Sequence, residues 1–136
     1  MHKTEFKYCV PYFDTDQMGV IYHGNYLRYF EMVRNQFLRD IGYPYTKMES
    51  EGTMLPVVQA QVDYKSPGFF EDELTFIAQI SKFKGCRIHF EHEIINQDEK
   101  LLAKGYTTHC FMCKTKRKPI PVTESFIKIL TDKGII

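Results

Sequence analysis

Two aspartates and a histidine stand in the run Asp14-Thr15-Asp16-Gln17-Met18-Gly19-Val20-Ile21-Tyr22-His23-Gly24-Asn25, directly before a stretch with helical periodicity. A helix start presents backbone N–H groups without intrahelical partners and the positive end of the macrodipole, so it can polarise a carbonyl and hold an oxyanion. A carboxylate just upstream can activate water or attack directly. Residues of these types at this spacing fit acyl chemistry, provided that a scaffold fixes the run against the helix. Asp14, two residues before Asp16, is expected to fix the loop through backbone hydrogen bonds.

The positioning elements follow from periodicity. Phe6, Tyr8 and Val10 alternate with Glu5, Lys7 and Cys9 up to Pro11, a half-buried strand ended by proline. From about Gly24 to Ile41, Tyr26, Tyr29, Phe30, Val33, Phe37 and Ile41 recur at three- and four-residue steps. The apolar stripe is wide enough for a helix largely wrapped by sheet, with Gly42 and Pro44 as its stop. A loop containing Lys47 to Gly52 comes next. Val58, Ala60, Val62 and Tyr64 then alternate with Gln59, Gln61, Asp63 and Lys65 until Ser66-Pro67-Gly68. Strands over 74–81 and 88–94 flank the Lys84-Gly85 turn, and Leu101 to Cys113 forms the last long strand. Lys116 to Pro121 is a breaker region, and Ser125 to Lys133 makes a short terminal helix. The order predicts an α+β domain over 1–136, with a five-stranded antiparallel sheet around one long helix.

The 136 residues leave no room for a second domain of ordinary size. Eighteen basic residues against 17 acidic ones give a net charge of +1, so neither nucleic acid nor an anionic membrane is expected as the main partner. The opening Met1 to Lys7 lacks the apolar core of a secretory signal, and no stretch approaches ~18 consecutive apolar residues. A cytoplasmic address without membrane insertion is the expectation. Cys110 and Cys113 have C-x-x-C spacing but no second close pair, and His89 and His92 fall on opposite faces of one strand, so no metal and no cofactor is expected.

Asp14-Thr15-Asp16, Gly19-Val20, Tyr22-His23, Asn25-Tyr26 and Tyr29-Phe30-Glu31, in this order, resemble the hotdog-fold acyl-CoA thioesterases. The likeness is to the 4-hydroxybenzoyl-CoA thioesterase branch that includes the bacterial Tol–Pal-associated proteins. Tyr64-Lys65-Ser66-Pro67 and Gly85-Cys86-Arg87-Ile88 agree as strand boundaries. The resemblance implies a hotdog fold, homodimers or homotetramers, and hydrolysis of an acyl thioester to a free acid and CoA, or release from acyl carrier protein. By position it puts the catalytic carboxylate on Asp16 and the oxyanion donor on the His23 backbone amide, with Tyr12 and the His23 side chain as further active-site positions. The benzoyl-specific enzymes often carry an aromatic residue where this chain has His23, so their substrate is not implied.

A thiolate is a good leaving group, so this chemistry needs one attacking group and one oxyanion site and no metal. Asp16 serves either as nucleophile or as general base, and both roles need its ionised form. Glu31, about two helical turns beyond His23, borders the acyl pocket or pairs with Arg28 or Arg34. The phosphates of CoA call for cations at the pocket rim, where Lys65, Lys84 and Arg87 are candidates. Two other readings belong to the same fold: a hydratase or dehydratase, and a non-catalytic acyl-CoA-binding protein.

Overall fold

The computed structural model describes residues 2–136; Met1, the first residue of the expected 1–136 domain, lies outside them. The chain runs β1 (Thr4–Cys9), α1 (Asn25–Asp40), α2 (Tyr45–Ser50), β2 (Thr53–Met54), β3 (Val57–Tyr64), β4 (Glu73–Lys84), β5 (Arg87–Ile95), β6 (Leu101–Cys110), β7 (Met112–Cys113) and α3 (Glu124–Asp132). Five strands form one antiparallel sheet in the order β1-β4-β5-β6-β3, and β2 pairs with β7 in a separate two-stranded ribbon. Helix α1 lies against one face of the large sheet, which is the hotdog architecture.

The stripe expected on α1 is the face it buries: Tyr26, Tyr29, Phe30, Val33 and Phe37 are all sealed from solvent. Its N-terminal half packs on Phe76, Ala78, Ile94 and Leu102, and its C-terminal half on Ile80, Ile88, Phe90 and Phe111. Helix α3 closes the second of these clusters with Phe126 and Leu130. The Thr123 side chain caps α3 by accepting from the Phe126 amide. Gly42, at φ 79°, ends α1 in the left-handed region that favours glycine.

Three expectations from the sequence are corrected. Residues within Lys47 to Gly52 are not all loop: Tyr45–Ser50 is helical, begun by Pro44 and held by the insertion of Met48 into the core. A single buried residue in a six-residue segment leaves no periodicity to read. The last strand also stops earlier than Cys113. Cys110 and Phe111 are both buried, which breaks the alternation, and the Phe111 amide turns to the Cys86 carbonyl at 2.7 Å. Met112 and Cys113 then pair with β2 instead. Finally, β3 buries little of the apolar side that its alternation marks: Val58 is 48% exposed, Ala60 and Tyr64 are exposed too, and Val62 alone packs partly against the core. The strand pairs only with β6 and forms an edge of the sheet.

Candidate active site

The loop from Pro11 to Gly24 is built on Asp14, which is only 1% exposed. Its Oδ2 accepts from the Tyr8 and Tyr29 hydroxyls, each at 2.7 Å, and its Oδ1 from Arg28 at 2.6 Å. Burial acts to raise the Asp14 pKa, but the Tyr29, Tyr8 and Arg28 donors outweigh it and hold the carboxyl below the usual range. The same carboxylate, added to burial, pushes the Tyr29 and Tyr8 hydroxyls up. The backbone part of the expectation holds as well, since the Asp14 carbonyl accepts from the Tyr22 amide at 2.9 Å and from Asn25 Nδ2 at 2.8 Å. The expectation omitted the larger part, a side-chain lock that ties β1, the loop and α1 together.

Asp16 is free of that lock. Its amide donates to the Val20 carbonyl at 2.9 Å, and its own carbonyl accepts from Gly19 at 3.0 Å, in a tight turn made possible by Gly19 at φ 79°. Oδ1 accepts from the Met18 amide at 2.9 Å, and among the described residues Oδ2 has no donor. The half-buried carboxylate is thus oriented by the backbone and retains one oxygen for chemistry.

Asp16 and His23 line one hollow of about 330 Å³ with Ile21, Tyr26, Tyr64 and Lys65. His23 ends the turn that starts α1: the Asn25 amide donates to Tyr22 at 2.9 Å and the Tyr26 amide to the His23 carbonyl at 3.3 Å. The His23 and Gly24 amides are not among the donors of that turn. The Tyr64 hydroxyl, on β3, donates to the His23 carbonyl at 2.9 Å and so ties the helix start to the sheet. Burial pushes the Tyr26 hydroxyl, in the wall, up to about 12, with Tyr64 and Asp72 contributing. A helix start, a carboxylate and an open hollow between them can bind a carbonyl, stabilise its oxyanion and attack it.

The other candidates lie apart. Tyr12 is 76% exposed and meets Phe70 edge-on with ring centroids 5.6 Å apart, outside the hollow. Glu31 lines a second hollow farther along α1. Lys84 and Arg87 face each other across the β4–β5 turn and line a third, of about 640 Å³. Lys65 alone of the three candidate cations joins Asp16. Sequence reasoning missed Tyr64 as a site residue, although Tyr64-Lys65-Ser66-Pro67 carried part of the resemblance; a hydroxyl reaching across 41 positions to a carbonyl leaves no local signal. Among the described residues, no three His, Cys, Asp or Glu side chains form a group able to hold a metal ion, and no helix is long and apolar enough to cross a membrane.

Residues 10–130 match the family described as the Thioesterase-like superfamily. The chain belongs to that superfamily. Among relatives of this thioesterase, YneP of Bacillus subtilis (strain 168) is 32% identical over 126 residues, 93% of this chain and 91% of YneP. The acyl-CoA thioesterase YbgC of Haemophilus influenzae is 30% identical, with 85% of each chain covered. In three dimensions the thioesterase is similar to the DHNA-CoA thioesterase of Staphylococcus aureus, at a TM-score of 0.87 and 29% identity, over 100% of this chain and 97% of the other. The match supplies a reaction class for the chain.

Proposed function

We propose that this thioesterase hydrolyses acyl-CoA to a free carboxylic acid and CoA, in the branch that includes the Tol–Pal-associated enzymes. The observation that carries the reading is the single hollow holding the Asp16 carboxylate and the His23 helix start. The ordered motif from Asp14 to Glu31 supports the branch. The thioester carbonyl binds at the start of α1, where the His23 amide and the helix dipole favour its oxyanion. Asp16 either takes a proton from water as the water attacks, or attacks itself to give a mixed anhydride that water then opens. In both routes the tetrahedral intermediate expels the CoA thiolate. The His23 ring lies over the same hollow, and Tyr12 supports the site from its approach. Lys65 at the hollow, with Lys84 and Arg87 on the sheet, supplies cations for CoA phosphates, and Glu31 borders the acyl group.

We further propose that the catalytic unit is a homodimer or a homotetramer. The open edge of β3, with Val57, Val58 and Tyr64 about half exposed, supports pairing through that strand. An active monomer in light scattering overturns this. The chemistry is tested with a panel of short, long and aromatic acyl-CoAs, by following thiol release with wild type and Asp16→Asn. Hydrolysis by wild type and its loss in a folded variant is the expected result; wild-type turnover in Asp16→Asn excludes the mechanism.

A further inference from the structure

A tyrosine hydroxyl withdrawn from water takes a hydrogen-bond partner, and two of the three buried tyrosines do so. Tyr29 donates to Asp14 at 2.7 Å, and Tyr43 donates to Glu51. Tyr26 is the exception. It is only 3% exposed, yet among the described residues its hydroxyl makes no hydrogen bond and is shifted by burial, with Tyr64 and Asp72 contributing through charge alone. His92 Nδ1 is the one side-chain polar atom that is both fully enclosed and without a partner among the described residues. The Tyr26 oxygen is therefore not sealed, and its remaining surface opens on the hollow that Tyr26 lines with Asp16 and His23.

The position of this donor is fixed by its neighbours. Tyr26 stands three residues beyond His23, one turn along the same face of α1, and helical side chains lean back toward the N-terminus. Its ring meets Tyr64 edge-on with centroids 5.3 Å apart, and Tyr29 at 5.6 Å. The Tyr64 hydroxyl and the Tyr26 amide both donate to the His23 carbonyl. The phenol is thus tied to the helix start before any ligand arrives, as a donor must be to stabilise developing charge without reorganising. Asp16, in the same hollow, takes its side-chain bond from the Met18 amide instead, so the Tyr26 donor is not spent on the carboxylate. With burial holding it at about 12, the hydroxyl keeps its proton at pH 7.

We propose that the Tyr26 hydroxyl is a catalytic hydrogen-bond donor that completes the oxyanion site with the His23 amide. The inference rests on the thioesterase reading. As Asp16 or its water adds to the thioester carbonyl, an electron pair moves onto the carbonyl oxygen, and a hydrogen bond to an anion is shorter and stronger than one to a neutral acceptor. The Tyr26 bond therefore strengthens on the way to the tetrahedral intermediate. It relaxes when the C=O bond re-forms and the C–S bond breaks with its electron pair on the CoA sulfur. Sulfur is the weaker acceptor of the two atoms that gain charge, which assigns the donor to the oxygen.

Two pairs of inert ligands test this by calorimetric titration: phenacyl-CoA against phenethyl-CoA, and octanoylmethyl-CoA against nonyl-CoA. The first of each pair keeps an acyl carbonyl, set one methylene away from sulfur, and the second has a methylene in place of that carbonyl. Wild type binds the ketones about tenfold tighter, and Tyr26→Phe loses most of that preference while holding the carbonyl-free ligands as wild type does. With the acyl-CoA that wild type hydrolyses fastest, Tyr26→Phe lowers kcat by about 10² and leaves KM nearly unchanged. Equal affinity within a pair for wild type, an unchanged kcat in Tyr26→Phe, or equal weakening of both members of a pair overturns the proposal. A reading on wild type guards against misfolding of the variant: with ¹³C-labelled tyrosine, the Tyr26 Cζ signal shifts with a ketone and not with its carbonyl-free counterpart, and an unmoved signal also overturns it. Because binding is read without turnover, failure of the thioesterase reading shows separately, as a wild type that releases no thiol from any acyl-CoA yet keeps a Tyr26-dependent preference for ketones.

Discussion

At the start of α1 the Asp14 carboxylate collects two tyrosine hydroxyls and a guanidinium, whereas three turns along the same helix the Arg34 guanidinium meets a threonine and two neutral rings. Both charges are withdrawn from water. The first is compensated within the chain and so acts as structure, a lock that positions the loop. The second has no ion pair among the described residues and only the nearby charge of Glu31 to offset its burial, and it faces a hollow. Between these extremes stands Asp16, with one oxygen oriented by the Met18 amide and the other without a donor among the described residues. Which charged group is available for chemistry is decided by partners, since Asp14 and Asp16 are the same residue type two positions apart.

The sharpest way to break this contrast is to neutralise each aspartate in turn. Asp16→Asn is expected to lower turnover with acyl-CoA by ~10²–10⁴ while the urea midpoint stays within error, because in the proposed mechanism the lost group acts on the substrate and not on the fold. Asp14→Ala is expected to do the opposite in kind. Two buried tyrosine hydroxyls lose their acceptor and Arg28 its partner, which costs about 3 kcal/mol of stability in urea unfolding. Arg28 contributes little to that cost, because its side chain is 41% exposed. Equal stability of the two variants would erase the distinction between lock and catalyst.

The two regions were not equally legible in the sequence. The helix over 24–41 and the long strands were readable because their apolar residues recur at 3.6 or 2, and the Asp14-to-Glu31 run is contiguous, so its resemblance was visible. The network under α1 joins Arg34, His92, Thr107 and His109, which three different elements contribute. It depends on β5–β6 register: His92 lies opposite Gly105, and Phe90 opposite Thr107. Gly105 is needed there, because a Cβ would strike the Gln61 carbonyl and press on Phe30, the ring stacked on His92 at 4.5 Å. Nothing in the spacing of two histidines 17 residues apart announces that one hydroxyl will join them.

Acid separates the regions further. The Asp14 pKa is lowered in the folded state, so its contribution is present above its unfolded pKa and is lost as pH falls through the folded value. His92 and His109 are also lowered, but as bases: below about 6.5 the unfolded chain takes up protons that the folded rings refuse. Stability therefore declines as pH drops from 6.5, and for His109 the decline ends near its folded value of about 4, a loss of up to about 3 kcal/mol. Urea unfolding at pH 7, 5.5 and 4 should show this slope in wild type. His109→Gln, which keeps a donor and an acceptor in place, should make the slope shallower, leaving the part that belongs to His92 and, at lower pH, the loss that belongs to Asp14.

The smallest effect probes how the catalytic end is held. Tyr64→Phe removes the 2.9 Å bond to the His23 carbonyl and nothing else of size. Because Tyr64 is 51% exposed, that bond contributes about 0.5–1 kcal/mol to stability at most. The His23 carbonyl and the adjoining amides share one turn, however, so releasing the carbonyl lets the helix start drift from the position where, in the proposed mechanism, it meets an oxyanion. Catalysis depends on geometry more steeply than folding does. Tyr64→Phe is thus expected to lower kcat by about threefold to tenfold, with KM nearly unchanged and the urea midpoint barely moved. An effect confined to KM would instead make Tyr64 a wall of the substrate hollow, and the helix start would then be held by the Asp14 lock alone.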